Sequence, residues 1–372
     1  MLLELLHADF PLNSVLVVGA SNSGKTSFLE FLKSALALPK KRGKPVEQHE
    51  HSPKPSPVGN FIPQYLETEF DGERVGLTLW DSEGLEKNVV DLQLRELSSF
   101  LESKFEETFV EEMKVVRSPG VQDTHIHAVF LLLDPARLDR NIAASWAGAG
   151  NMYLNGMRNP PYSRIVGALD EDLDLQVMRT LTGKTTVIPV IAKADTITTK
   201  HMSVLKRAVW DSLKRANLDP LQALGLDEEE DDDESDRIDE EDENAVFDHS
   251  DTEEAVGDEE GPSVKQGSSP SSKRQSNGSV RRHKASEETA PEEEIPFVPM
   301  SIISPDLYEP NVIGRKFPWG FADPYNEEHC DFVRLKDAVF NEWRSDLREA
   351  SREQWYENWR TSRLKQHGAK IR

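Results

Sequence analysis

Apolar positions along this chain follow two rhythms, and the rhythms alternate. Ser14–Val18 is a short apolar run closed by Gly19, the pattern of a strand buried on both faces. Lys25–Leu36 follows, with Phe28, Leu32, Ala35 and Leu36 on one face at helical spacing. Gln64–Phe70 and Arg74–Trp80 predict a hairpin turning at Asp71-Gly72-Glu73. From Val90 to about Val116, Leu94, Leu97, Leu101, Phe105, Phe109 and Met113 recur three or four apart and predict a long helix. Ala128–Leu133 and Val187–Ala192 are again buried-strand runs, with helices predicted over Leu173–Leu181 and Lys200–Ala216. Near the C-terminus, Phe332, Leu335, Val339 and Trp343 mark a further helix, and Trp355, Tyr356 and Trp359 read as helix packing. Strands and helices in alternation predict an α/β fold with a mostly parallel sheet flanked by helices.

Three stretches break the rhythm. Pro39 to Asn60 has prolines at 39, 45, 53, 55 and 57, which no helix tolerates. Arg140 to Val166, rich in Ala, Gly, Asn and Pro, reads as a long irregular insertion. Residues 226–294 are acidic and then Ser-rich, with too little apolar surface to offset about 1–2 kcal/mol of ordering entropy per residue. Disorder is expected there. The chain thus divides into an N-terminal segment (1–13), a first folded part (14–225), the insert (226–294) and a folded completion (295–372).

Charge follows the same division. The net charge of −23 is misleading, because Asp227–Glu260 holds twenty-one acidic residues against Arg237 alone, leaving about −3 elsewhere. A globally basic nucleic-acid binder is excluded. One cysteine, Cys330, excludes a disulfide framework and fits a reducing compartment. No apolar run approaches the roughly 18 residues of a membrane span, and Met1–Asp9 is too short and interrupted for a signal peptide. A soluble, intracellular protein is expected.

Three motifs carry chemistry. Gly19-Ala20-Ser21-Asn22-Ser23-Gly24-Lys25-Thr26 satisfies G-x-x-x-x-G-K-[ST] between a predicted strand and a predicted helix, the context its mechanism requires. Backbone N–H groups from Gly19 through Ser27 would cradle phosphate, Lys25 would neutralise it and the Thr26 hydroxyl would ligate Mg²⁺. Asp81-Ser82-Glu83-Gly84 ends the Arg74–Trp80 strand, offering Asp81 to the same Mg²⁺ and the Gly84 N–H to a γ-phosphate. Leu85 follows, where Ras-like enzymes place a water-orienting Gln, and it has no polar group for that task. Ala192-Lys193-Ala194-Asp195 resembles [NAT]-K-x-D: Asp195 would accept from guanine N1–H and N2–H₂, and Lys193 would pack over the base. Adenine lacks that donor pair. The fold class is therefore a P-loop NTPase of Ras-like GTPase type, taking GTP or GDP with Mg²⁺. His125 with His127, and His329 with Cys330, lack further metal-ligand spacing and read as structural.

Beyond these motifs the chain resembles the septin family, in a divergent, fungal-type form. The resemblance rests on Val187–Thr198, on Ile313-Gly314-Arg315-Lys316-Phe317-Pro318-Trp319-Gly320 with Asn326–Phe332 and Leu335, and on Trp355-Tyr356-Glu357-Asn358-Trp359-Arg360. It places a septin unique element at about 311–331, followed by C-terminal helices. It also implies a guanine nucleotide held at a subunit interface, with Arg315 approaching the base and Trp319 holding the unique hairpin. Partners would be other septin subunits, met through a G interface and a face built from N- and C-terminal helices. Location would be cytoplasmic, in cytoskeletal filaments or a ring at the cortex and division site, serving cytokinesis and polarised growth.

Departures from the family refine the expectation. D-T-P-G gives way to Asp81-Ser82-Glu83-Gly84, a family glycine near the base is Ser301, and Thr68 is a candidate for the switch threonine. Hydrolysis is expected to be slow or absent. Met1–Asn13 contains no Lys or Arg, so cortical membrane association is expected to be indirect, with Lys40–Lys44 the alternative basic cluster. An active GTPase switch of another P-loop class, a P-loop kinase or ATPase, and a nucleotide-free pseudo-GTPase remain the alternatives.

Overall fold

Each continuous apolar run becomes a strand with neighbours on both sides. In the computed structural model, which describes residues 13–38, 61–70, 72–114, 123–150, 165–222, 296–305 and 312–370, the central sheet has six strands. These are β1 (Asn13–Gly19), β2 (Ile62–Phe70), β3 (Glu73–Asp81), β4 (Ala128–Leu133), β7 (Thr186–Ile191) and β8 (Met300–Ser301), in the order β2-β3-β1-β4-β7-β8. Every pairing is parallel except β2 with β3, a hairpin that sets Phe70 opposite Glu73 with Gly72 at φ 80°. All six residues of β4 and of β7 are buried, as strands covered on two faces must be.

Helices supply that cover. α1 (Lys25–Leu36) meets the C-terminal helices on one face: Phe31 and Phe332 lie with ring centroids 4.4 Å apart, and Phe70 stacks on Phe340 at 5.7 Å. α2 (Val90–Glu112) covers the other, its Phe100 stacked on Phe61 at 4.2 Å and edge-on to Trp80 at 4.9 Å. Phe61 and Phe70 have opposite parity along one extended stretch, so the two aromatic groups occupy opposite faces. α2 ends at Glu112, and Met113, expected to extend its apolar face, is exposed.

Between β4 and β7 the expectation of an irregular insertion is corrected over the described residues. α3 spans Pro135–Gly150, so Arg140–Gly150 is helical. Pro135 suits the first position, where no N–H is needed, and the alanines that read as loop are good helix formers. β5 (Ile165–Val166) and β6 (Leu169–Asp170) then form a small hairpin, followed by one π-helical turn (Glu171–Leu175) and α4 (Gln176–Leu181). Arg137 anchors this region, donating two hydrogen bonds to the buried Asp174 carboxylate at 2.7 and 2.5 Å.

α5 (Thr199–Arg215) is capped by Thr198, whose hydroxyl accepts from His201 N–H. β9 (Arg315–Phe317) and β10 (Gly320–Ala322) form the separate hairpin expected within 311–331. The chain closes with α6 (Phe332–Asp337), α7 (Arg344–Glu349) and α8 (Glu357–Lys370), joined through π-helical turns. Tyr356 packs against Phe105 and His125, and Trp359 against Phe105 and Phe109, so this aromatic run is packing. The expected insert at 226–294, the segment 1–12 and the Pro-rich stretch 39–60 lie outside the described residues.

Candidate functional site

Three parallel strands deliver the three motifs to one edge of the sheet. β1, β3 and β7 all end there, at Gly19, Asp81 and Ile191, the carboxyl edge at which open α/β sheets bind ligands.

The β1–α1 turn is built by packing and by unusual backbone angles. A Cβ on Gly19 would lie 2.6 Å from the Leu132 carbonyl, so no side chain fits. Asn22 and Gly24 adopt left-handed conformations, φ 61° and 96°, which bend the loop before Gly24 O accepts Phe28 N–H at 2.9 Å. Lys25 folds back over this loop, donating to Gly19 O at 3.1 Å and Ala20 O at 3.0 Å. Burial lowers its pKa, opposed by the negative charge of Asp81.

Asp81 and Thr26 meet at the same place, the Thr26 hydroxyl donating to Asp81 Oδ2 at 3.4 Å. Burial raises the Asp81 pKa, and the Lys25 charge and the Thr26 hydrogen bond work against it. A hydroxyl and a carboxylate beside a lysine form a hard-oxygen donor set that suits Mg²⁺ with a phosphate. Ser23 is fully buried and its Oγ has no hydrogen-bond partner among the described residues, whereas Ser27 is half-buried on α1. Ser21 departs from the expected phosphate-facing role: its N–H donates to Leu85 O at 3.1 Å. Gly84 packs against Ser21 so closely that a Cβ would lie 2.6 Å from Ser21 Oγ. Glu83 is exposed.

At the end of β7, Lys193 takes a left-handed conformation and reaches across the site. Its ammonium donates to Asn22 O at 2.7 Å and Asp134 Oδ1 at 2.8 Å, tying this motif to the β1–α1 loop. The Asp195 side chain is 1% exposed. Its Oδ2 accepts from Arg315 Nη1 at 2.7 Å, while Oδ1 is buried and has no hydrogen-bond partner among the described residues. A buried carboxylate oxygen left so is costly unless something donates to it. The donor pair of guanine fits that need.

Ser301 belongs to a neighbouring cluster. Its N–H and its hydroxyl both donate to Asp331 Oδ2 at 2.6 Å, and Lys206 donates to the same oxygen at 2.5 Å. Burial would raise the Asp331 pKa, but Lys206 and these bonds hold it below the usual carboxylate value. A cavity of about 280 Å³ opens beside Asp195 and Ser301, under the β9–β10 hairpin. Trp319, stacked on Phe317 at 5.2 Å, is 82% exposed on that hairpin.

Thr68 is not part of the site. It is buried in β2 opposite Val75, six residues along the hairpin from the Ile62–Asp81 pair, or roughly 20 Å at strand spacing. His125 and His127 serve the core: His127 accepts from Ser14 N–H and faces Asp123 at 3.0 Å, and His125 lies 3.3 Å from Ser351 Oγ. Sequence reasoning passed over Asp134 and Gln93. Asp134 had a usable signal, an acid directly after the apolar run of β4.

The septin family profile matches residues 9–140, 165–264 and 275–372. The chain belongs to the septin family. This septin is 24% identical over 369 residues to the septin homolog spn3 of Schizosaccharomyces pombe, covering 95% of this chain and 73% of the relative. Its identity to neuronal-specific septin-3 of Rattus norvegicus is also 24%, over 98% of this chain and 78% of that protein. Among solved structures, the septin GTPase domain from Chlamydomonas reinhardtii superposes with a TM-score of 0.50 at 18% identity. That match covers 95% of this chain and 99% of the other, and it bears on the fold.

Proposed function

We propose that this septin binds guanine nucleotide structurally and assembles with other septin subunits into filaments that scaffold the cortex during cytokinesis and polarised growth. The observation that carries the reading is Asp195: a buried carboxylate with one oxygen unpartnered among the described residues, two positions after Lys193, which bonds the loop that holds Lys25 and Thr26. Lys25, Thr26 and Asp81 would hold phosphate and Mg²⁺, Asp195 the base edge, and Arg315 the base end of the pocket.

Slow or absent hydrolysis follows from Leu85, which is apolar and buried and has nothing with which to orient water. Assembly through a G interface is supported by the β9–β10 hairpin, which joins an exposed aromatic surface to the base end through Arg315 and Asp195. A nucleotide held beside a subunit contact would add buried area and link occupancy to assembly. Membrane association would then come through partner subunits.

Chromatography of nucleotide released from the purified protein tests the reading. GDP or GTP in about equimolar amount is expected, together with sedimentable filaments when partner septins are added. Protein that emerges empty, and takes up no GTP when offered it with Mg²⁺, would defeat it.

A further inference from the structure

The segment after β3 is fastened at three places. Leu85 bridges to Ala20 in parallel: its N–H donates to Gly19 O at 3.0 Å and its carbonyl accepts from Ser21 N–H at 3.1 Å. Gln93, in the first turn of α2, brackets that bridge. Its Oε1 accepts from Glu86 N–H at 2.9 Å and its Nε2 donates to Gly84 O at 3.1 Å. One residue beyond Glu86, Lys87 is ion-paired with Asp170, whose side chain is 1% exposed. The Leu85 side chain is part of the core, and Gly84 leaves no room above Ser21.

We propose that Gln93 is a positioning residue that clamps Gly84–Glu86 against the phosphate-binding loop in one conformation, whichever guanosine phosphate is bound. The clamp uses both ends of a side-chain amide, one acceptor and one donor; a carboxylate offers only acceptors and an alkyl group neither. A segment moves with its ligand only if two arrangements lie close in free energy and the ligand prefers one of them. Leaving the observed arrangement breaks two hydrogen bonds to the loop and two to Gln93, and it withdraws a buried leucine. The nucleotide part of this proposal rests on the function proposed above; the clamp itself does not.

Hydrogen exchange on the full-length protein tests both parts, with the amides of Ser21, Leu85 and Glu86 as reporters and those of Val129 and Leu131 in β4 as controls for global opening. Without nucleotide, Gln93→Leu is expected to speed the reporters about tenfold relative to the controls. Gln93→Glu, which keeps the acceptor and loses the donor, should fall between. Reporter exchange unchanged in Gln93→Leu overturns the clamp; if that variant folds poorly, unchanged Leu85 exchange in Gln93→Glu does so. In the wild type loaded with GDP or a non-hydrolysable GTP analogue, the reporters should agree within about twofold, and Gln93→Leu should separate the two states. A wild-type difference above about fivefold overturns the single-conformation proposal. Protein that binds neither nucleotide defeats the proposed function and leaves the ligand-free comparison decisive for the clamp.

Discussion

Arg315 and Asp195 are 120 residues apart in sequence and 2.7 Å apart in space, joined by a charge-assisted hydrogen bond that fastens the β9–β10 hairpin to the end of β7. Asp195 is buried and Arg315 about a third exposed, so solvent screens one side of the pair. Arg315→Ala is expected to cost about 1–3 kcal/mol, mostly from leaving the carboxylate without its cation. Urea unfolding of Arg315→Ala, Asp195→Asn and the double variant measures it. A double variant no more stable than the sum of the singles would show that the two residues are not coupled.

Asp195→Asn changes what the base end can accept. A carboxylate takes two N–H donors from guanine, whereas an asparagine amide can accept from N1–H and donate to the C2 carbonyl that xanthine carries in place of the amino group. Competition between GDP and XDP for the purified variant should therefore shift toward XDP by at least about tenfold. Retained guanine preference would place the base elsewhere.

Asp331 collects Ser301 N–H, Ser301 Oγ and the Lys206 ammonium on one oxygen. Asp331→Ala strands all three donors in a largely buried place, at a cost of about 3–5 kcal/mol. Asp331→Asn keeps an acceptor and should cost less. Chemical denaturation that ranks the two equally would show that packing, rather than hydrogen bonding, holds this corner.

His125 makes stability depend on pH. Burial pushes its pKa from 6.5 down to about 4, with Asp123 opposing and His127 and Arg352 adding to the shift. Between those values the unfolded chain binds a proton that the folded one refuses, so stability falls as pH drops from about 6.5 to about 4, by an amount on the order of 3 kcal/mol. Asp123 acts in a lower window. Burial would raise its carboxyl, yet His127 holds it at about 2, so its contribution is present above about 3.8 and fades below that. His125→Gln should flatten the curve between pH 4 and 6.5 when unfolding is followed in urea.

The strands were legible because burial on both faces demands unbroken apolar runs, and β1, β4 and β7 have them. The P-loop and its two companions stood out because their glycines, lysines and acids keep the fixed spacing expected of phosphate and base contacts, and the fold brings all three to one edge of the sheet. α3 was missed because alanine, glycine and asparagine suit loops and helices alike, and packing of Leu138 and Asn141 decided the matter. Gln93 could not stand out, since a polar residue at a helix start reads as solvated until the fold brings a strand end beside it. Asp134, directly after the apolar run of β4, was marked by its position but not by its partner Lys193. Thr68 failed for the opposite reason: the type suited a switch, but its place along β2 did not.

In the turn after α5, Leu218, Asp219, Pro220 and Gln222 share a small cavity with Thr185 and Thr186 where β7 begins. Phosphate and base are expected at the far end of that strand. Gln222 thus lies at the end of the sheet opposite the three motifs. A substitution in that turn can therefore alter stability without touching the residues proposed to hold nucleotide.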